Sequence, residues 1–185
     1  MRVELKQIAD AVIELKFRGH LDESSDLPDL DFKNIKCMTI DLESLEHINS
    51  VGILKWKRWQ DQIRAQNPTC EIHLFGCHKQ FISIINIFEG LLTDNSRVDT
   101  FFIPFYCEAC DYLKELLINT QKDVRSFSKN AVEIALSQEI CPKCNKSMET
   151  EVAVFGYVSF LERYQSKPTL LSKDLAEKTL RLPAL

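Results

Sequence analysis

Of the seven cysteines in this 185-residue chain, four fall into two tight pairs. The first pair is Cys107-Glu108-Ala109-Cys110 and the second is Cys141-Pro142-Lys143-Cys144, with 30 residues between them. Two cysteines separated by two residues can both turn inward on one tight loop, and two such loops complete a tetrahedral sulfur shell. No other feature constrains the fold as strongly, because both loops must meet at one point. An odd cysteine count, with no apolar signal-peptide core after Met1-Arg2-Val3-Glu4, favours a metal over disulfides. Zinc is the expected ion, and iron in a rubredoxin-like site is the competitor because it takes the same four sulfurs. No histidine falls between or near the pairs. The shell is therefore closed and leaves no position for water or substrate, so the site is expected to be structural rather than catalytic. Pro142 and Asn145-Lys146 suit the second loop, and a basic residue there favours thiolates. Cys37, Cys70 and Cys77 are expected as core residues at or beside strands.

The remaining composition narrows the function. The net charge is −4, which argues against a general nucleic-acid binder and against attraction to an anionic membrane surface. No apolar run approaches the roughly 18 residues needed to span a bilayer. The chain is expected to be cytoplasmic, with no membrane insertion. Phosphate-loop and dinucleotide fingerprints and a Ser-His-Asp order are missing from the sequence, so no enzymatic activity is expected.

Strand-like and helix-like segments alternate over roughly the first 105 residues. Residues 12–17, 37–42, 71–76 and 98–105 read as strands, the last running into Cys107. Residues 22–31, rich in Asp, Ser and Pro, read as a loop, and Asp41, Glu43 and Glu46 as solvated loop carboxylates. A helix after residue 50 would place Ile53, Trp56, Gln60 and Ile63 on one face, with Asn49 or Ser50 as its N-cap and Asn67-Pro68 as its stop. Trp56 and Trp59 are both expected in the core; for one of them the alternative is covering the metal module or a partner. A second amphipathic helix is expected over 79–92. This predicts an α/β fold, a mixed sheet with helices packed on it. Residues 106–160 read as a four-cysteine module with a helical insert at 111–120 and a strand at 152–160. Residues 161–185 read as a polar tail with a short helix capped by Ser172, its inner side formed by Leu175, Thr179 and Leu182.

Three local patterns occur in a telling order. Val12-Ile-Glu-Leu-Lys-Phe-Arg-Gly19-His-Leu-Asp22 comes first, then Met38-Thr-Ile-Asp41-Leu42, then Asn49-Ser50-Val51-Gly52 ahead of an amphipathic helix. In this order and form, residues 1–105 resemble a STAS domain, the fold of anti-sigma-factor antagonists. The family carries Asp-Ser/Thr-x-Gly at the turn, and here Asn49 stands in place of the acid. The resemblance implies a STAS-like mixed sheet fused to a zinc-ribbon-like module. It also implies a partner-binding surface at Asn49, Ser50, Val51, Gly52 and Lys55, with Ser50 at the position phosphorylated by a kinase-like partner in switching members. Lys55, Lys57 and Arg58 stand ready in the sequence to receive such a phosphate. The plainer alternative is that Asn49 and Ser50 only cap the helix.

Binding to a protein partner, either an anti-sigma factor or a kinase-like protein, is thus the expected function. A stable non-catalytic subunit of a larger assembly such as a lipid transporter is the first alternative. A zinc-ribbon nucleic-acid module is the second, opposed by the excess of acidic over basic residues in 106–160. Thiol redox chemistry at the cysteine pairs is a third.

Overall fold

A computed structural model of the chain describes residues 1–128, 131–134 and 139–164. β1 (Arg2–Ala9) and β2 (Val12–Leu21) form an antiparallel hairpin, turned at Ala11 with φ 58°. β3 (Cys37–Ile48), β4 (Glu71–Phe75) and β5 (Ser96–Val98) then add in parallel, giving the order β1-β2-β3-β4-β5. Helix α1 (Ser50–Gln66) connects β3 to β4, and α2 (Lys79–Ile87) connects β4 to β5. The fold is mixed α/β, as the alternation of segments predicts.

Side-chain alternation decides which face the helices cover. Ile13, Leu15 and Phe17 of β2 and Met38, Ile40 and Leu42 of β3 are buried on one face. On the other, Lys16 Nζ lies 3.6 Å from Asp41 and Arg18 Nε 3.5 Å from Glu4. Trp56, Trp59 and Ile63 of α1 close the apolar face, with Phe17 edge-on to both indoles at 5.8 and 6.1 Å. An indole buries about 200 Å², so each contributes roughly 5 kcal/mol of transfer free energy at about 25 cal/mol/Å². Trp59 Nε1 donates to Pro28 O at 2.9 Å, which ties the 22–31 loop to the helix. Neither tryptophan is left over to cover a second module.

The structure departs from the expected elements at several points. The first strand, β1, has no counterpart in the sequence reading. β3 runs on to Ile48, so Asp41, Glu43 and Glu46 lie in a strand, not a loop. α2 stops at Ile87, because Gly90 at φ 71° reverses the chain and seats Leu91 and Leu92 in the core from a turn. The last expected strand breaks at Asp99 into β5 and β6 (Thr100–Cys107). β6 leaves the large sheet after a parallel bridge between Phe101 and Cys77.

Beyond this point the expected helical insert at 111–120 is instead β7 (Tyr112–Asn119). It pairs antiparallel with β6 from Thr100↔Asn119 to Cys107↔Tyr112. Leucine, lysine and glutamate favour helix intrinsically, but an eight-residue ladder beside an already anchored strand outweighs that weak preference. β8 (Val124–Ser128) and β9 (Ala131–Ile134) form a separate hairpin, and β10 (Glu149–Thr150) joins the other edge of β6. The expected strand at 152–160 gives way to two helical turns, α3 (Val154–Tyr157) and α4 (Leu161–Tyr164). Tyr157, Phe160, Leu161 and Tyr164 are buried at helical spacing, which a strand would scatter over two faces. These turns lock onto α2 and β6: Asn86 Nδ2 of α2 donates to Tyr157 O at 2.7 Å, and Tyr157 Oη donates to Phe102 O of β6 at 2.7 Å. The tail helix expected around Ser172 lies outside the described residues.

One core residue goes against the pattern. Gln60 is fully buried on α1, and neither amide atom has a hydrogen-bond partner among the described residues; Trp56 Nε1 shares this condition. A buried unpaired amide costs about 1–3 kcal/mol. We expect Gln60→Leu to stabilise the protein by about 1 kcal/mol in urea titration; a loss of stability would contradict this account of the core.

Candidate functional sites: a four-thiol cluster and a capped helical turn

β6 delivers Cys107 at its last residue, and β7 leaves two residues after Cys110. Between them the first loop closes with Cys110 N–H donating to Cys107 O at 3.4 Å. The second loop is pinned at both ends: Cys141 N–H donates to Lys146 O at 2.8 Å and Asn145 N–H to Cys141 O at 2.9 Å. Each pair is followed by a left-handed residue, Asp111 at φ 51° and Asn145 at φ 58°. Asp and Asn tolerate this conformation better than other side chains. The pairing of Glu149 and Thr150 with Tyr106 and Phe105 brings the two loops together, because the strand leaving the second lies beside the strand entering the first.

The four thiols gather as their spacing predicts. Sγ–Sγ separations are 3.4 Å for Cys107–Cys144 and Cys110–Cys141, 3.6 Å for Cys107–Cys110 and 3.7 Å for Cys110–Cys144. A disulfide would need about 2.05 Å. Four sulfurs about 2.3 Å from a central tetrahedral ion lie about 3.8 Å apart, so the cluster fits a metal held by four thiolates. Desolvation is the strongest single influence on Cys141 and acts upward. The backbone N–H groups of Lys143 and Cys144, with neighbouring thiols, outweigh it and bring this thiol down to about 6. Lys143 also sits over the Tyr112 ring at 4.8 Å, bracing the second loop on the start of β7.

Asn49 is the N-cap of α1; its Oδ1 accepts from Gly52 N–H at 2.9 Å, while Nδ2 donates to Glu23 Oε2 at 2.9 Å. Gly52 is fixed by space. A Cβ there would stand 2.0 Å from Leu21 O, because the first turn of α1 rests on the end of β2. Ser50 is exposed, as is Val51 at 42%. Lys55 is committed elsewhere: its Nζ donates to Glu23 O and Ser25 O, both at 2.6 Å, and holds the loop after β2. Lys57 pairs with Asp61 at 2.5 Å. Both lysines expected to receive a phosphate are therefore engaged within the fold. Leu54, at 57% exposed, continues the open face of Ser50 and Val51 one turn on. It went unnoticed in the sequence because the periodicity singles out the apolar side chains that go inward.

Comparisons of the chain with protein-family models, with curated proteins and with solved structures found no match. The α/β sheet and the four-thiol cluster thus rest on this structure alone.

Cys141→Ser should fail to retain metal at the four-thiol cluster after zinc loading, read by elemental analysis. Its Tm should fall by about 10 °C, or roughly 3–4 kcal/mol for a chain of this size; an unchanged melting curve would remove the structural role. Gly52→Ala should cost more than about 3 kcal/mol, since backbone rather than a flexible side chain blocks the new methyl. A mild effect in chemical denaturation would mean that α1 does not rest on β2 so closely.

Proposed function

We propose that this protein is a non-enzymatic binding module of the STAS type, stiffened by a zinc ion at Cys107, Cys110, Cys141 and Cys144. The observation that carries the binding role is the division of labour in the α1 turn. Asn49, Gly52 and Lys55 are used up by the fold, while Ser50, Val51 and Leu54 stand exposed beside them. An exposed hydroxyl flanked by two open apolar side chains on a rigid helix start suits contact with a protein surface. The helix N-terminus tolerates a phosphate on Ser50, through free N–H groups and the aligned peptide dipoles. Phosphorylation would then alter binding without unfolding the chain. With Lys55 and Lys57 engaged, the added charge would act on the partner side of the contact.

A closed shell of four thiolates supports a scaffold role for the ion, because no ligand position is left for a substrate. Zinc is preferred over iron because it is the usual occupant of paired Cys-x-x-Cys loops. The cluster sits at the far end of β6 from the main sheet, where the chain turns from β6 into β7, so it ties that turn to the loop of Cys141 and Cys144.

Affinity capture with wild type, Ser50→Glu and Leu54→Glu, read by mass spectrometry, tests the binding role. We expect both variants to lose a partner that wild type retains, with Tm within about 2 °C of wild type. Loss with Leu54→Glu alone would indicate a constitutive subunit rather than a phosphorylation switch. Equal recovery by all three would sink the α1 turn as the interface.

A further inference from the structure

The outward side of α2 is marked by the polar residues Gln80, Ser83 and Asn86, while Phe81, Ile84 and Ile85 go into the core. The end of the helix breaks this division. Ile87 is 72% exposed. Phe88 continues the inward spacing of Phe81, Ile84 and Ile85, yet the helix stops at Ile87 and the ring stays 49% exposed at the rim of the core. Two adjacent large apolar side chains therefore face solvent among the described residues.

The chain leaves the described region beside this pair. Arg163 Nη2 donates to Ile85 O and Asn86 O, both at 3.2 Å, and Arg163 Nη1 lies 3.9 Å from Glu89. Its guanidinium thus brackets Ile87 and Phe88, and the last described residue, Tyr164, follows it directly. We propose that residues 165–185, which lie outside the described residues, fold back within the same chain and seat their leucines on Ile87 and Phe88.

The composition of this segment suits the seat. It holds six leucines in 21 residues, beginning at Leu170 and Leu171. Leu175, Thr179 and Leu182 recur at the spacing of one helical face. The span from Tyr164 to Leu170 covers up to about 20 Å at roughly 3.3–3.6 Å per residue, ample for a target bracketed by Arg163. The charges also agree. The segment carries four basic and two acidic residues in a chain whose net charge is −4. Beside the patch stands the Glu89 carboxylate, its side chain 91% exposed and held by Arg163 only at long range. The competing occupant is a second copy of this chain. A tether this short places the chain's own leucines at an effective concentration on the order of millimolar, which outweighs a second copy at micromolar protein.

Photo-cross-linking of the full-length protein, with benzoylphenylalanine in place of Ile87, tests the seat. We expect a cross-link to residues 165–185 at the mass of a single chain. A product at twice that mass would assign the patch to a second copy, and a folded protein with no cross-link to the segment would leave the patch bare; either result would overturn the proposal. Ile87→Asp supplies an independent readout, since a side chain this exposed should leave Tm within about 2 °C of wild type. Trypsin should then cut after Lys178 and Arg181 at least about fivefold faster than in wild type, because cleavage follows the population of the released segment. Equal rates would equally overturn the docking.

Discussion

β6 ties the three-stranded sheet to the large one through a single bridge, and the rest of the molecule is arranged around that. Phe101 forms a bridge with Cys77 and packs edge-on against Phe160 at 5.3 Å, inside the common core. From Thr100 onward the same strand pairs with β7, and near its end with β10, before finishing at Cys107. Because β10 is only two residues long, this sheet is little more than the β6–β7 hairpin, and a lone hairpin is marginal in water. It is anchored at one end by the bridge to the large sheet and at the other by four converging thiols. The helical turns after Val154 close the circuit by returning the chain to α2.

How much of this could be read from the sequence depended on whether the signal was local. The Cys-x-x-Cys loops were legible because their geometry is set within a few residues, and the thiols do converge. α1 was legible because Asn49, Trp56 and Ile63 carry both the cap and the periodicity. β7 was not, since Tyr112 to Asn119 contains good helix formers and becomes a strand only through its long partner. The turns around Tyr157 and Phe160 were missed for a related reason: β-branched and aromatic residues read as strand until the surface they cover is known.

The α1 turn shows why a motif and a working surface need separating. Of the residues that the STAS resemblance marks, Asn49 and Gly52 explain how the helix is seated on β2, and Lys55 explains why the following loop stays closed. These are the reasons for the pattern at this point of the chain. They leave Ser50, Val51 and Leu54 free to face outward, and a helix start held this firmly loses little entropy when something binds to it.

β7 lies at the edge of its sheet among the described residues, with Leu113 and Leu117 exposed at 60% and 49%. An open strand edge with apolar side chains is a template for pairing with another chain. The thiol cluster holds the hairpin at its turn, against the loop of Cys141 and Cys144. Loosening that turn would free the ribbon to present its edge to neighbouring molecules. Metal depletion would then be felt first as concentration-dependent aggregation, with the α/β core still folded inside the aggregate.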